Sequence, residues 1–285
     1  MKKLLSILFL LIACFTLSQS TAFALNISEN ESVLPYGHGL FISNQGSRDK
    51  TLNPNKGYIL YYKNDTFKTV IPRGYLKKPT AMAIYNDKLY VCDTNEIFVF
   101  DMNDYYASPD RIKFTEDDTV VNDIALYKDN LYVTVTNTDR VYKINLKQNN
   151  PQPVLWLNIP SPNGIAINCG KAYIASIPKD YKNIKKENVV YIVNDLNNPK
   201  AEKLNTKPLI YDGIAIYKGN ILVSDWLTST VYKIDKKGNF SALYHRRGMT
   251  PADITVNDDN LIIPDMFNNR IIIHNLKTKS DTIIK

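Results

Sequence analysis

Five short stretches of this chain share one pattern, and each is followed at a constant distance by an apolar run. They read Pro-Thr-Ala-Met-Ala-Ile at 79–84, Val-Asn-Asp-Ile-Ala-Leu at 121–126, Pro-Asn-Gly-Ile-Ala-Ile at 162–167, Tyr-Asp-Gly-Ile-Ala-Ile at 211–216 and Pro-Ala-Asp-Ile-Thr-Val at 251–256. The apolar runs begin at Leu89, Leu131, Ala172, Ile221 and Leu261, each nine residues after the second residue of its pattern. A degenerate sixth copy starts at Glu31, passes through the turn at 35–39 and resumes at Leu40. The starts 31, 80, 122, 163, 212 and 252 are 49, 42, 41, 49 and 40 residues apart. Periods of this length, each holding several short strands, predict a β-propeller of six four-stranded blades.

Third strands are expected at 58–62, 97–100, 141–144, 189–193, 231–234 and 271–273. Fourth strands are expected at 67–71, 111–114, 154–157, 202–204, 240–244 and 282–284. Their Tyr, Val and Ile content suits half-buried pleated strands, and most of the 19 tyrosines are expected to pack between blades. The fold class is therefore all-β, with residues 25–285 forming one propeller. With 44% hydrophobic residues and only 25 Gly and Pro together, the chain is neither disordered nor collagen-like.

Residues 1–24 read as a secretory signal: Lys2 and Lys3, an apolar run too short to span a bilayer, and an Ala22-Phe23-Ala24 cleavage site leaving Leu25 first. Export to the periplasm or the medium is expected. The competing reading is a lipobox at 11–14 with lipid on Cys14. No later run is long enough for a membrane span. The net charge is +7, or +5 without Lys2 and Lys3, too mild to argue for nucleic acid. Cys92 and Cys169 fall in non-adjacent units, so two small buried hydrophobes are expected and not a disulfide.

In a propeller the first strand of each blade lines the central channel, so the pattern starts converge at one mouth. That ring is Glu31, Thr80, Asn122, Asn163, Asp212 and Ala252. Two carboxylates and two carboxamides in one small volume offer hard oxygen donors. Buried like charges repel, and a divalent cation removes that penalty. Ca²⁺, with six to eight oxygen ligands and tolerant geometry, suits the set; Zn²⁺ would want His or Cys. The alternative is a channel filled with polar side chains and ordered water.

At these residues the chain resembles the gluconolactonase and senescence-marker-protein family of six-bladed, NHL-like propellers. The resemblance implies a metal held by Glu31, by Asn163 in its Pro-Asn-Gly turn and by Asp212 in its Asp-Gly turn. It also implies Asp212 as general base and Asn122 as a substrate contact. The sequence departs from the family in three places: Val120 stands where sugar-lactone members carry Arg, Ser32-Val33 follow Glu31 where Gly-Pro is usual, and Ile124-Ala125-Leu126 replace a Gly-rich segment. The metal site thus carries over better than the substrate site.

Metal-assisted hydrolysis of a small-molecule lactone or ester follows as the expected chemistry, with a monomeric non-catalytic propeller binding a protein, peptide or glycan as the alternative. Arg73, with Lys77 and Lys78, and Arg246, in His245-Arg246-Arg247, lie in links expected at the mouth and are candidates to receive an anionic substrate. His38, His245 and His274 begin no first strand and form no Ser-His-Asp order. Asp93, Asp225 and Asp265 recur at the ends of second strands and are expected to cap turns. Trp226 and Phe267 follow two of them, and either wall the mouth or join the inter-blade core.

Overall fold

The computed structural model describes residues 25–46 and 56–285; the signal segment and Cys14 lie outside them. Six antiparallel sheets of four strands each follow in chain order. The first strands of the blades are Asn30–Tyr36, Pro79–Tyr85, Val121–Tyr127, Pro162–Asn168, Tyr211–Tyr217 and Thr255–Asn257. Every expected second, third and fourth strand is present, with ends that differ by a residue or two. The largest difference is the fourth strand of blade one, which runs Thr66–Leu76. Among the described residues the helical content is one 3₁₀ turn, Met266–Asn268, and no helix is long and apolar enough to cross a membrane. The first strand of blade six starts later than its pattern. Only an isolated bridge joins Pro251 to Asp265, where Pro251 and the facing Pro264 both lack an N–H for the ladder.

Strand alternation sends side chains to both faces of each sheet, and both faces are covered by neighbouring blades. One cluster joins Tyr90, Cys92 and Ile97 of blade two to Ile124, Leu131 and Val133 of blade three. Tyr58, Tyr132, Tyr142, Tyr191, Tyr211 and Tyr232 are buried in this way, as expected of packing residues. Asp93 accepts the backbone N–H groups of Lys77 and Lys78 at 2.7 and 2.6 Å. Asp225 accepts that of Ile210 at 3.0 Å, and Asp265 that of Thr250 at 2.8 Å. These aspartates therefore tie each incoming link to the end of a second strand. Both cysteines are free, but only Cys92 is buried; Cys169 is exposed, because it takes a left-handed turn position (φ 49°) beside Gly170.

Among the described residues the four strands of blade one come from Asn30–Leu76 and the four of blade six from Thr255–Ile284, with none shared between the two sheets. The seam is closed by Ile27, Val33 and Ile42 against Ile262, Ile271 and Ile284. Polar groups reinforce it. Asn30 Nδ2 donates to the Arg270 carbonyl at 3.0 Å, Asp253 N–H to the Glu31 carbonyl at 3.1 Å, and Ser32 Oγ to Asp253 Oδ2 at 2.6 Å.

The first strands of blades one to five share an irregularity in the ladder to their second strands, falling between Asn30 and Val33, Pro79 and Met82, Val121 and Ile124, Pro162 and Ile165, and Tyr211 and Ile214. Each frees two consecutive residues from pairing and re-aims their side chains. Adjacent first strands come closest here. A Cβ on Gly213 would lie 2.2 Å from Ile254 N, and one on Gly164 would lie 2.4 Å from the Asp212 carbonyl. Backbone, not a movable side chain, fills the space, so these glycines are required by packing. We expect Gly213→Ala to destabilise the fold by about 3 kcal/mol or more. Chemical denaturation would read this, with Ala81→Gly, at the equivalent bulge position of blade two, as the milder control.

Candidate active site in the channel mouth

The bulges give the channel its chemistry. The first freed residue of each pair faces one mouth: Glu31, Thr80, Asn122, Asn163 and Asp212 all line a single cavity of about 510 Å³. The second freed residue points the other way, and Ser32, Asp123 and Asp253 line the opposite opening, of about 250 Å³. The sixth ring position, Ala252, is buried and lines neither. Links and turns complete the mouth. Lys78, Thr94, Thr119 and Val120 come from blades two and three, and Ile177, Tyr181, Trp226, Met266 and Phe267 from blades four to six.

The two ring carboxyls are buried, with Glu31 6% and Asp212 2% exposed. Burial pushes the Glu31 pKa up to about 8; Asp253 and Asp123 add to this, and the Lys78 ammonium opposes it. Asp212 is raised well above the usual carboxylate range, first by burial and then by the Glu31 charge. The Trp226 indole N–H and the Asn163 side chain partly offset that rise. The Trp226 N–H faces the Asp212 carboxyl without a well-aligned hydrogen bond, and no other acceptor takes it. Gln45 Nε2 donates to Glu31 Oε2 at 3.3 Å. Thr80 Oγ1 donates to the Asn122 carbonyl at 2.6 Å, and Asn122 Nδ2 to Thr136 Oγ1 at 3.2 Å.

Behind this pair sits a second one, outside the six ring positions. Asp123 accepts the N–H groups of Ile124 and Ile165, both at 2.6 Å. Burial still raises it to about 6. Asp253 is raised well above its usual range by burial, then by Asp123. A signal for them exists one position after each ring residue, where the sequence reads Ser32, Ala81, Asp123, Gly164, Gly213 and Asp253.

The arginines chosen as substrate contacts stand elsewhere. Arg73 lies in the fourth strand of blade one with its guanidinium 5.3 Å from the Tyr58 ring centroid. Arg246 pairs with Asp281 Oδ2 at 3.4 Å. Neither lines the cavity; of the cations in those links, Lys78 does. No histidine lines it either: His38 is exposed, His245 contacts Thr230 and His274 pairs with Asp281 at 2.8 Å. Trp226 and Phe267 do wall the mouth, and Tyr181, which the strand pattern gave no reason to select, joins them. Among the described residues no three His, Cys, Asp or Glu side chains gather as a metal cluster. A cation at the mouth would thus rest on two carboxylates completed by carboxamide and water oxygens, a donor set that fits Ca²⁺ and not Zn²⁺.

No protein-family profile matches the sequence, and no curated protein matches it. Solved structures do match in three dimensions. The nidogen/laminin complex aligns over 90% of this chain and 93% of that one, with 14% identity and a TM-score of 0.64. A streptogramin B lyase covers 92% and 84%, at 12% identity and 0.65. Virginiamycin B lyase from Staphylococcus aureus covers 91% and 86%, at 12% and 0.64. At these identities the likeness is one of fold, and it joins an enzyme and a binding protein.

The channel carboxyls make stability depend on pH in a definite direction. A group whose folded pKa lies above its unfolded value binds more protons when folded, so stability falls as pH rises between the two values. For Glu31 that window runs from 4.5 to about 8, and for Asp123 from 3.8 to about 6. Without divalent cation, the melting temperature is expected to fall from pH 5 to pH 8. Glu31→Gln should flatten the curve across its window, and Asp123→Asn only below about pH 6. Melting curves at fixed ionic strength would check both.

Proposed function

We propose that the protein is an exported hydrolase that opens a lactone or ester at the channel mouth, with a divalent cation, Ca²⁺, held by Glu31, Asn163 and Asp212. The observation that carries this reading is the convergence of two buried carboxyls, Glu31 and Asp212, with Asn122 and Asn163 in one cavity. Buried together they favour the protonated form. A divalent cation is the species that would restore their charge and be held by it. When bound, such a cation supplies Lewis-acid polarisation of a carbonyl.

The chain's own groups supply the rest. Asp212, once ionised, takes a proton from the attacking water. The Trp226 N–H and the Asn163 side chain lie against the Asp212 carboxyl and favour its ionised form. Asn122 offers a carboxamide to the substrate, fixed in place by Thr136. Lys78 adds positive charge on the side where the acyl oxygen would develop negative charge.

A second reading has its own support. Val120, Tyr181 and Phe267 line the cavity yet remain 39%, 51% and 43% exposed, and Leu227, beside Trp226, is 60% exposed. An apolar rim of this kind also suits a non-catalytic propeller that binds a protein, peptide or glycan. The lyase route is less favoured. A virginiamycin B lyase solved with quinupristin was inactivated by a histidine-to-alanine change, and this cavity has no histidine.

Calcium at a hundredfold excess over its dissociation constant should stabilise the wild type by about 2.7 kcal/mol, and Asp212→Ala should remove the shift. Equal shifts in both would dismiss the metal site. A panel of lactones and esters assayed with and without chelator separates the readings, since turnover that ignores the chelator dismisses the metal-dependent hydrolase and no turnover at all favours the binder. Export predicts a mature chain beginning at Leu25, checked by intact mass.

A further inference from the structure

The mouth is chemically two-sided, and its sides come from opposite halves of the ring. Blades two and three present Lys78, Thr80, Thr94, Thr119 and Asn122, with Val120 and Val121 between the last two. Blades four, five and six present one aromatic residue each. The Tyr181 and Trp226 ring centroids are 6.1 Å apart, and those of Trp226 and Phe267 5.4 Å apart in a T-shaped contact. Trp226 joins this wall to the floor, because its ring meets both other rings while its N–H faces Asp212. Whatever lies against the wall is therefore placed above the proposed base.

We propose that Tyr181, Trp226 and Phe267 are the specificity-determining seat for a flat aromatic ring, so that the substrate is an aryl ester and not a sugar lactone. The inference rests on the hydrolase reading for the word ester, while the ring seat stands on the wall itself. A polyol carries hydroxyls around its whole edge, and those set against the Trp226 and Phe267 ring faces would lose water without gaining partners there. An aromatic ring gains offset or edge contacts with all three side chains. Its ester group then points toward Asn122 and Lys78, where hydroxyls, a carboxamide and an ammonium are available. The exposure of Tyr181 and Phe267 leaves room for a group larger than the cavity to extend over the rim.

The test uses acetanilide, an uncleavable relative of phenyl acetate, against N-methylacetamide, which lacks the ring. The chain has two tryptophans, so Trp156→Phe leaves Trp226 as the sole indole reporter. Saturable change in Trp226 emission with acetanilide, and none with N-methylacetamide, is expected. Tyr181→Ala and Phe267→Ala should each weaken acetanilide binding roughly threefold to tenfold, and Tyr181→Phe should retain it. Calorimetric titration of the wild type with the same two probes gives the answer if Trp156→Phe fails to fold. Equal responses to both probes, no response to either, or alanine variants that bind as wild type would overturn the seat. Phenyl acetate turnover decides the hydrolase reading separately, so ring binding without turnover leaves the seat standing and removes the enzyme.

Discussion

Close approach of the first strands around one axis is the constraint on which the rest of this structure depends. Six strands cannot converge with their ladders regular to the end, and five of them break register at the same point. There the neighbouring backbone leaves no room for a Cβ at Gly164 or Gly213. Hydroxyls from second strands satisfy the freed backbone groups. Ser43 accepts from Ser32 N–H at 2.9 Å, Thr134 from Asp123 N–H at 2.9 Å and Ser224 from Gly213 N–H at 2.8 Å. Without the register break, the ring residues would point into inter-blade packing like the rest of each strand.

The same geometry concentrates negative charge. Glu31, Asp123, Asp212 and Asp253 share the channel, and each raises the pKa of at least one other. They are not equivalent. Asp123 spans two blades and accepts two backbone N–H groups, so its charge has local compensation. Glu31 and Asp212 face the open cavity with weaker support. A structural role accounts for Asp123 and, through Ser32, for Asp253 at the seam. The mouth pair has only Gln45 on Glu31 and the Trp226 and Asn163 side chains on Asp212.

Propeller topology also divides the labour between strand and link. First strands set the floor, which is polar. Links and turns set the walls, and these decide what enters. The long connection between the second and third strands of blade four carries Tyr181 to the mouth, where it meets Trp226 and Phe267. On the other side, Lys78 reaches the cavity because Asp93 pins the backbone of Lys77 and Lys78. Arg73 ends instead over Tyr58. A cation near the mouth in sequence is thus not a cation in the mouth.

The repeat by itself determined the number of blades, the four strands of each and the six ring positions. Strand periodicity and turn residues are local, and in a propeller each unit repeats the same local solution. It also determined that Asp93, Asp225 and Asp265 are caps, since their recurrence at one position marked a shared backbone need. Only the tertiary structure decided where the link side chains go and how much charge the channel buries. Arg73 and Arg246 leave the cavity, Tyr181 enters it, and Asp123 and Asp253 form a second acidic pair, because each outcome depends on contacts between blades far apart in the chain. Burial, which sets the pKa of Glu31 and Asp212, is a property of the closed ring and of no single repeat.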